Sequence, residues 1–273
     1  MRASRFAGIA IAALFTSACF QSTTLIRIND DGSGTIEQTT IVTDAAMKQL
    51  RALVAMGSGA DKPIDLFSTT QARQMAAKIG TDVSLVSSTR IKTAAGEGTK
   101  AVFAFADINR LQLKPEGDGA GMASMARGVD PAQLHFSLTR QPNGDALLRI
   151  VMPPAKMPAA GKPTAPAGSG GSPQSHMSPE QLAMVKQMFA GMKIAIAVEP
   201  AGRLVKTSSP YVDGGRVTLV EFSFDELLAH DGIFARMHTA QTLDDVRAAM
   251  KDIPGLRINL DPEITIEFAA AAK

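Results

Sequence analysis

The chain has 273 residues, with 28 Lys and Arg against 26 Asp and Glu, 45% hydrophobic residues, 14 Met, a single Cys, a single Tyr and no Trp. The basic residues are scattered and near-balanced by acids, which excludes the electrostatic footprint of a nucleic-acid-binding protein. One cysteine excludes an intrachain disulfide, so stability must come from an apolar core, and ligand platforms built from aromatic rings are not expected.

Arg2 and Arg5 precede an apolar run over residues 6–15, the length of a secretory h-region and too short to cross a bilayer. Thr16-Ser17-Ala18 then lead into Cys19. This segment resembles the lipobox of bacterial lipoproteins, departing from it at Thr16, where that family prefers Leu, Val or Ile. The resemblance implies that residues 1–18 are a leader cut before Cys19, that the Cys19 sulfur is lipidated, and that the new amino group is acylated. It places the mature chain on the outer side, periplasmic or extracellular, of the cytoplasmic membrane. Phe20 after the cysteine, in place of Asp, points to the outer membrane in a Gram-negative cell. Losing Arg2 and Arg5 with the leader leaves 26 basic and 26 acidic residues. No later run is long enough to span a membrane.

Strand alternation over residues 24–28 and 35–42 flanks Asn29-Asp30-Asp31-Gly32-Ser33-Gly34, a strong hairpin turn. About five residues of tether then separate Cys19 from the first strand, at most ~18 Å when extended. Asp44 caps a predicted helix to residue 56 with Met47, Leu50, Leu53 and Val54 on one face. Ser68 caps a second through residue 79, stopped by Gly80. Strands are predicted at 83–92 and 100–106, a short helical turn at 107–113, and a Gly-rich stretch at 115–131. A further hairpin, 134–139 with 146–152, carries Asn143-Gly144 at its turn, the signature of type I′.

Seven of the 15 prolines fall between Pro153 and Pro179, mixed with Gly, Ser and Ala. Residues 153–178 read as a linker or disordered insertion. It divides a first part, 19–152, from a second, 179–268, that packs with it. Ser178-Pro179-Glu180-Gln181 restarts order with a capped helix to residue 192. Strands at 193–198, 204–207 and 216–224, a helix at 242–250 and a last strand at 264–268 follow. The expectation is an α+β fold, an antiparallel sheet built from hairpins with several packed helices. A strand running into Asp-x-x-x-Leu at 101–111 is echoed by a strand running into Asp-x-x-Leu at 217–228, which chance recurrence of a common strand-to-helix junction explains more readily than two related halves.

Candidate chemistry is sparse. Asn29, Asp31 and Ser33 with Gly34 and Glu37 resemble the first nine positions of an EF-hand loop, but Thr40 stands where the bidentate Glu belongs and the flanks alternate as strands. A plain hairpin explains the same residues. His135 falls in a strand and His176 in the linker. His230 and His238, eight apart, lack a His-x-x-x-His or Cys partner. No Gly-x-Ser-x-Gly elbow or phosphate loop occurs, so no enzyme activity, cofactor or metal is expected. Met184, Met188 and Met192 recur every four residues beside Phe189, a stripe that can line an adaptable apolar site or fill a core.

The strand, Asp-Gly-Ser-Gly turn and second strand over residues 24–43, following the anchor, resemble the opening of LppM-like envelope lipoproteins. That group is associated with lipid binding and has a C-terminal membrane helix where this chain ends in a strand and Ala-rich residues. The first expectation is therefore a non-enzymatic, membrane-anchored lipoprotein binding a lipid or other apolar ligand, with Met184, Met188, Met192 and Phe189 as candidate contacts. The second is an interaction or assembly factor for another envelope protein. The third is a hydrolase or metal-dependent enzyme using His230, His238 and nearby acids.

Overall fold

In the computed structural model the described residues are 20–44, 46–48, 68–113, 134–152, 189–230, 232, 233, 236 and 239–270. The chain opens with an antiparallel hairpin, β1 (Phe20–Ile28) and β2 (Gly34–Thr43). Helix α1 (Thr69–Ile79) follows. The Ser68 hydroxyl accepts from Gln71 N at 3.2 Å, and Gly80 N closes the last turn on Ala76 O. Then come β3 (Val83–Thr93), β4 (Gly96–Phe105), a 3₁₀ turn at Ile108–Arg110, β5 (His135–Arg140) and β6 (Ala146–Val151). After residue 178 the chain forms β7 (Lys193–Pro200), β8 (Leu204–Thr207), β9 (Val212–Asp213) and β10 (Arg216–Ser223). Helices α2 (Phe224–Ala229) and α3 (Leu243–Met250), then β11 (Leu256–Ile258) and β12 (Glu263–Phe268), complete it.

Two sheets result. The larger runs β11-β10-β7-β1-β2-β4-β3, with β9 beside β10; the smaller runs β5-β6-β12-β8. β1 and β7 are parallel, pairing Gln21 with Lys193 through Ile28 with Pro200, and the other ladders are antiparallel.

These findings correct the expected α+β fold. Strands dominate, the larger sheet is mixed, and the helices with described bounds are short, at 11, 6 and 8 residues. The two parts of the chain are interleaved as well. β7 lies between β1 and β10, and β12 between β6 and β8, so each sheet draws strands from both sides of residues 153–178. The physical cause is long-range pairing that leaves no local periodicity to read, added to strands whose polar residues resemble loops, such as Phe20–Thr24 and Val212–Asp213. The helices expected from residues 44 and 178 lie largely outside the described residues.

The sheets pack face to face. Ile26, Ile28, Ile36, Phe103, Phe105, Val198 and Val217 of the larger meet Phe136, Leu148, Ile150, Ile264, Ile266 and Phe268 of the smaller. A second cluster, under α2 and α3, joins Phe222, Phe224, Leu227, Met250, Leu256 and Ile258 with Met192. The opposite face of the larger sheet carries charges. Lys100, Glu37, Arg27, Glu199 and Arg216 link successive strands β4-β2-β1-β7-β10 in one chain of ion pairs 2.9–3.7 Å long.

Candidate functional site: a graded groove beside the N-terminal strand

Alternation puts the even-numbered residues of β1 on the inward face, and the register aligns them with their neighbours in rows. The row Val198, Ile26, Ile36, Phe103 is fully apolar and buried in the main core. One step toward the start of β1, the row becomes Ile196, Thr24, Gln38, Ala101. The next is Ile194, Ser22, Thr40, Thr99. The inward face therefore passes from hydrocarbon to hydroxyl and amide within two residues, and the polar rows lie at the end where β1 begins with Phe20.

Helix α1 forms one wall over these rows. A small pocket of about 60 Å³ lies among Phe20, Ile36, Ile79, Leu113, Leu134 and Ile196. That is room for about two water-sized groups and too little for an acyl chain. A larger open pocket of about 360 Å³ adjoins it, and the two share Gln38, Met75 and Lys78. Its floor is Gln38, Thr40, Thr99, Ala101 and Phe103, and its helical wall includes Gln71 and Gln74. This volume falls in the range of small-molecule sites, roughly 300–1,000 Å³. Among the described lining residues only Lys78 is charged. The Thr99 hydroxyl is buried without a hydrogen-bond partner.

No family model matches the chain, and no curated protein sequence matches it. The structure is similar to the NMR structure of the folded domain of LppM from Mycobacterium tuberculosis. The likeness covers 93% of this chain and 92% of that one, at 11% identity and a TM-score of 0.33.

The residues singled out from sequence sit elsewhere. Cys19, Met184 and Met188 lie outside the described residues, as do His176 and His238. Met192 is buried in the second cluster, and Phe189 packs on Phe224 with ring centroids 4.9 Å apart. Neither lines the groove. His135 is exposed on β5. His230 Nδ1 lies 2.8 Å from Glu226 O at the end of α2, and Asp225 accepts from Gly191 N at 3.0 Å. Among the described residues no three His, Cys, Asp or Glu converge as metal ligands.

The Asn29–Ser33 loop is a turn held by its own side chains. Asp31 Oδ1 accepts from Ser33 N at 2.9 Å and from the Ser33 hydroxyl at 2.6 Å, while Asn29 Nδ2 donates to the same hydroxyl. Those bonds hold the Asp31 carboxyl below its ordinary range.

The groove residues Ser22, Thr24, Gln38, Thr40 and Thr99 escaped the sequence reading. One signal could have found them. Once the first hairpin is registered, Ser22, Thr24, Gln38 and Thr40 are polar side chains at positions that alternation assigns to the core.

Proposed function

We propose that this chain is a non-enzymatic envelope lipoprotein, held to the membrane through Cys19, that binds the head end of a bilayer amphiphile in the groove beside β1. One observation carries the reading: Phe20, the residue that follows the lipobox cysteine, lines the small pocket together with Ser22 and Thr24 of the polar rows. Lipidation at Cys19 sets that end of the sheet at the bilayer with no tether between. Ser22, Thr40, Gln38 and Thr99 then offer hydrogen bonds at headgroup level. The small pocket, where Ser22, Thr24 and Gln112 stand beside apolar side chains, accepts only the atoms at the junction of head and chain, and the remainder of the chain stays in the membrane.

Two measurements test it. Metabolic labelling with palmitate is expected to mark the wild-type protein and to vanish in Cys19→Ala. Mass spectrometry of an organic extract of the Cys19→Ser protein, which carries no lipid of its own, is expected to show a stoichiometric amphiphile. A folded protein that extracts clean would sink the ligand half of the proposal.

A further inference from the structure

Resting on that reading, we infer that the head group taken by the groove is uncharged and hydroxyl-bearing, of the acylglycerol type, and that phosphate-bearing lipids are disfavoured. The lining decides this. Ser22, Thr24, Thr40 and Thr99 give hydroxyls, and Gln38, Gln71, Gln74 and Gln112 give amides, so both donors and acceptors are plentiful. A neutral polyol can satisfy such a surface in both directions. An anion would lose its hydration against groups that half the time present acceptors, and the one described lining cation, Lys78, lines both pockets from an exposed position where water and salt screen its charge.

Thr99 supplies a second, independent observation. Its hydroxyl is buried and unpartnered while the residue lines the larger pocket. It stands in register with Thr40 on the neighbouring strand, which in turn faces Ser22. A single rotamer step about χ1 carries the hydroxyl to another staggered position, where a ligand in the pocket that Thr99 lines can meet it. The group costs stability when unpaired and gains a partner on binding.

The test compares glycerol mono-octanoate, octanoyl lysophosphatidylglycerol and free glycerol, each below its micelle concentration. Binding to the full chain carrying Cys19→Ser is followed by backbone amide shifts. The monoglyceride is expected to bind about tenfold tighter than the phosphate-bearing lipid, with the largest shifts at residues 22–24, 38–40 and 99. Thr99→Val is expected to raise the unfolding midpoint of the free protein yet weaken monoglyceride binding about fivefold, opposite signs that a purely structural role does not produce. Equal or tighter binding of lysophosphatidylglycerol would overturn the uncharged assignment while leaving amphiphile binding intact. Glycerol matching the monoglyceride would overturn the lipid source, and no binding by any probe would remove the functional reading as well. A Thr99→Val protein that binds the monoglyceride unchanged would remove that hydroxyl from the site and overturn its part in the inference.

Discussion

Arg140 Nη2 lies 2.9 Å from Asp30 Oδ2 and 3.3 Å from the Asp30 carbonyl, fastening the tip of the β5–β6 hairpin to the first turn of the chain 110 residues earlier. Two more bonds close the same seam. Ile108 N donates to Gly32 O at 2.9 Å, and Leu138 N donates to Asn109 Oδ1 at 2.7 Å. The two sheets are thus tied at the end opposite the groove. The ion pair is exposed, so Arg140→Ala is expected to cost no more than about 1 kcal/mol, an effect that fades in high salt. Asn109→Ala strips Leu138 N of its partner and is expected to cost about 1–2 kcal/mol regardless of salt. Urea midpoints at low and high ionic strength separate the two.

Asn259 is 2% exposed, and its Nδ2 donates to Thr218 O at 2.8 Å and Leu219 O at 3.1 Å, where the pairing of β10 with β7 shifts register. Asn259→Asp would set a carboxylate against two buried carbonyls. The expected loss is about 3 kcal/mol or more at pH 7, partly recovered near pH 4 as the acid takes up a proton and donates one bond. The stability of this variant should rise on mild acidification, whereas that of the wild type should not.

Glu37 explains the second half of that contrast. It receives Lys100 Nζ at 2.9 Å and Arg27 Nη1 at 3.3 Å, and these partners, Lys100 foremost, hold its carboxyl below its ordinary 4.5. A depressed folded pKa favours the folded state above the unfolded value and is lost as pH falls through the folded one. Acid unfolding curves between about pH 5 and 3 should therefore be shallower in Glu37→Gln, with a difference near neutrality of about 0.5–1 kcal/mol.

Gly34 begins β2 where three strands crowd. A Cβ there would sit 2.1 Å from Arg27 O and 2.6 Å from the ring of Phe105, which is itself buried. Neither neighbour is a flexible side-chain end, so Gly34→Ala is expected to destabilise by about 2 kcal/mol or more, read by thermal unfolding.

Local signals were readable in the sequence. The turn at Asn29–Gly34, the Ser68 cap, the Asn143-Gly144 hairpin and the helix starting after Thr242 all form from neighbours within a few residues, although the Asn143-Gly144 turn has positive φ at Gly144 and not at Asn143 and so is not the expected type I′. The pairing of Ser22 with Ile194 carries no such signal, because it joins segments on either side of the Pro-rich stretch. The tether misreading has a sharper cause. Gln21-Ser22-Thr23-Thr24 shows no hydrophobic alternation and so resembles a linker, yet it is paired strand on both sides. What hid it as a strand, polarity at core-facing positions, is what makes the groove. Site and secondary structure were missed together for one reason.

The central position of β1 also determines how the molecule bears load. A pull on the residue before Phe20, from a lipid or any other attachment, runs along a nine-residue strand hydrogen-bonded to β2 on one side and β7 on the other. Both ladders resist in shear, with many bonds strained at once, whereas an edge strand pulled the same way would be held by one ladder alone. Drag on a body fixed at this point is carried straight into the middle of its largest sheet, the part least able to peel away.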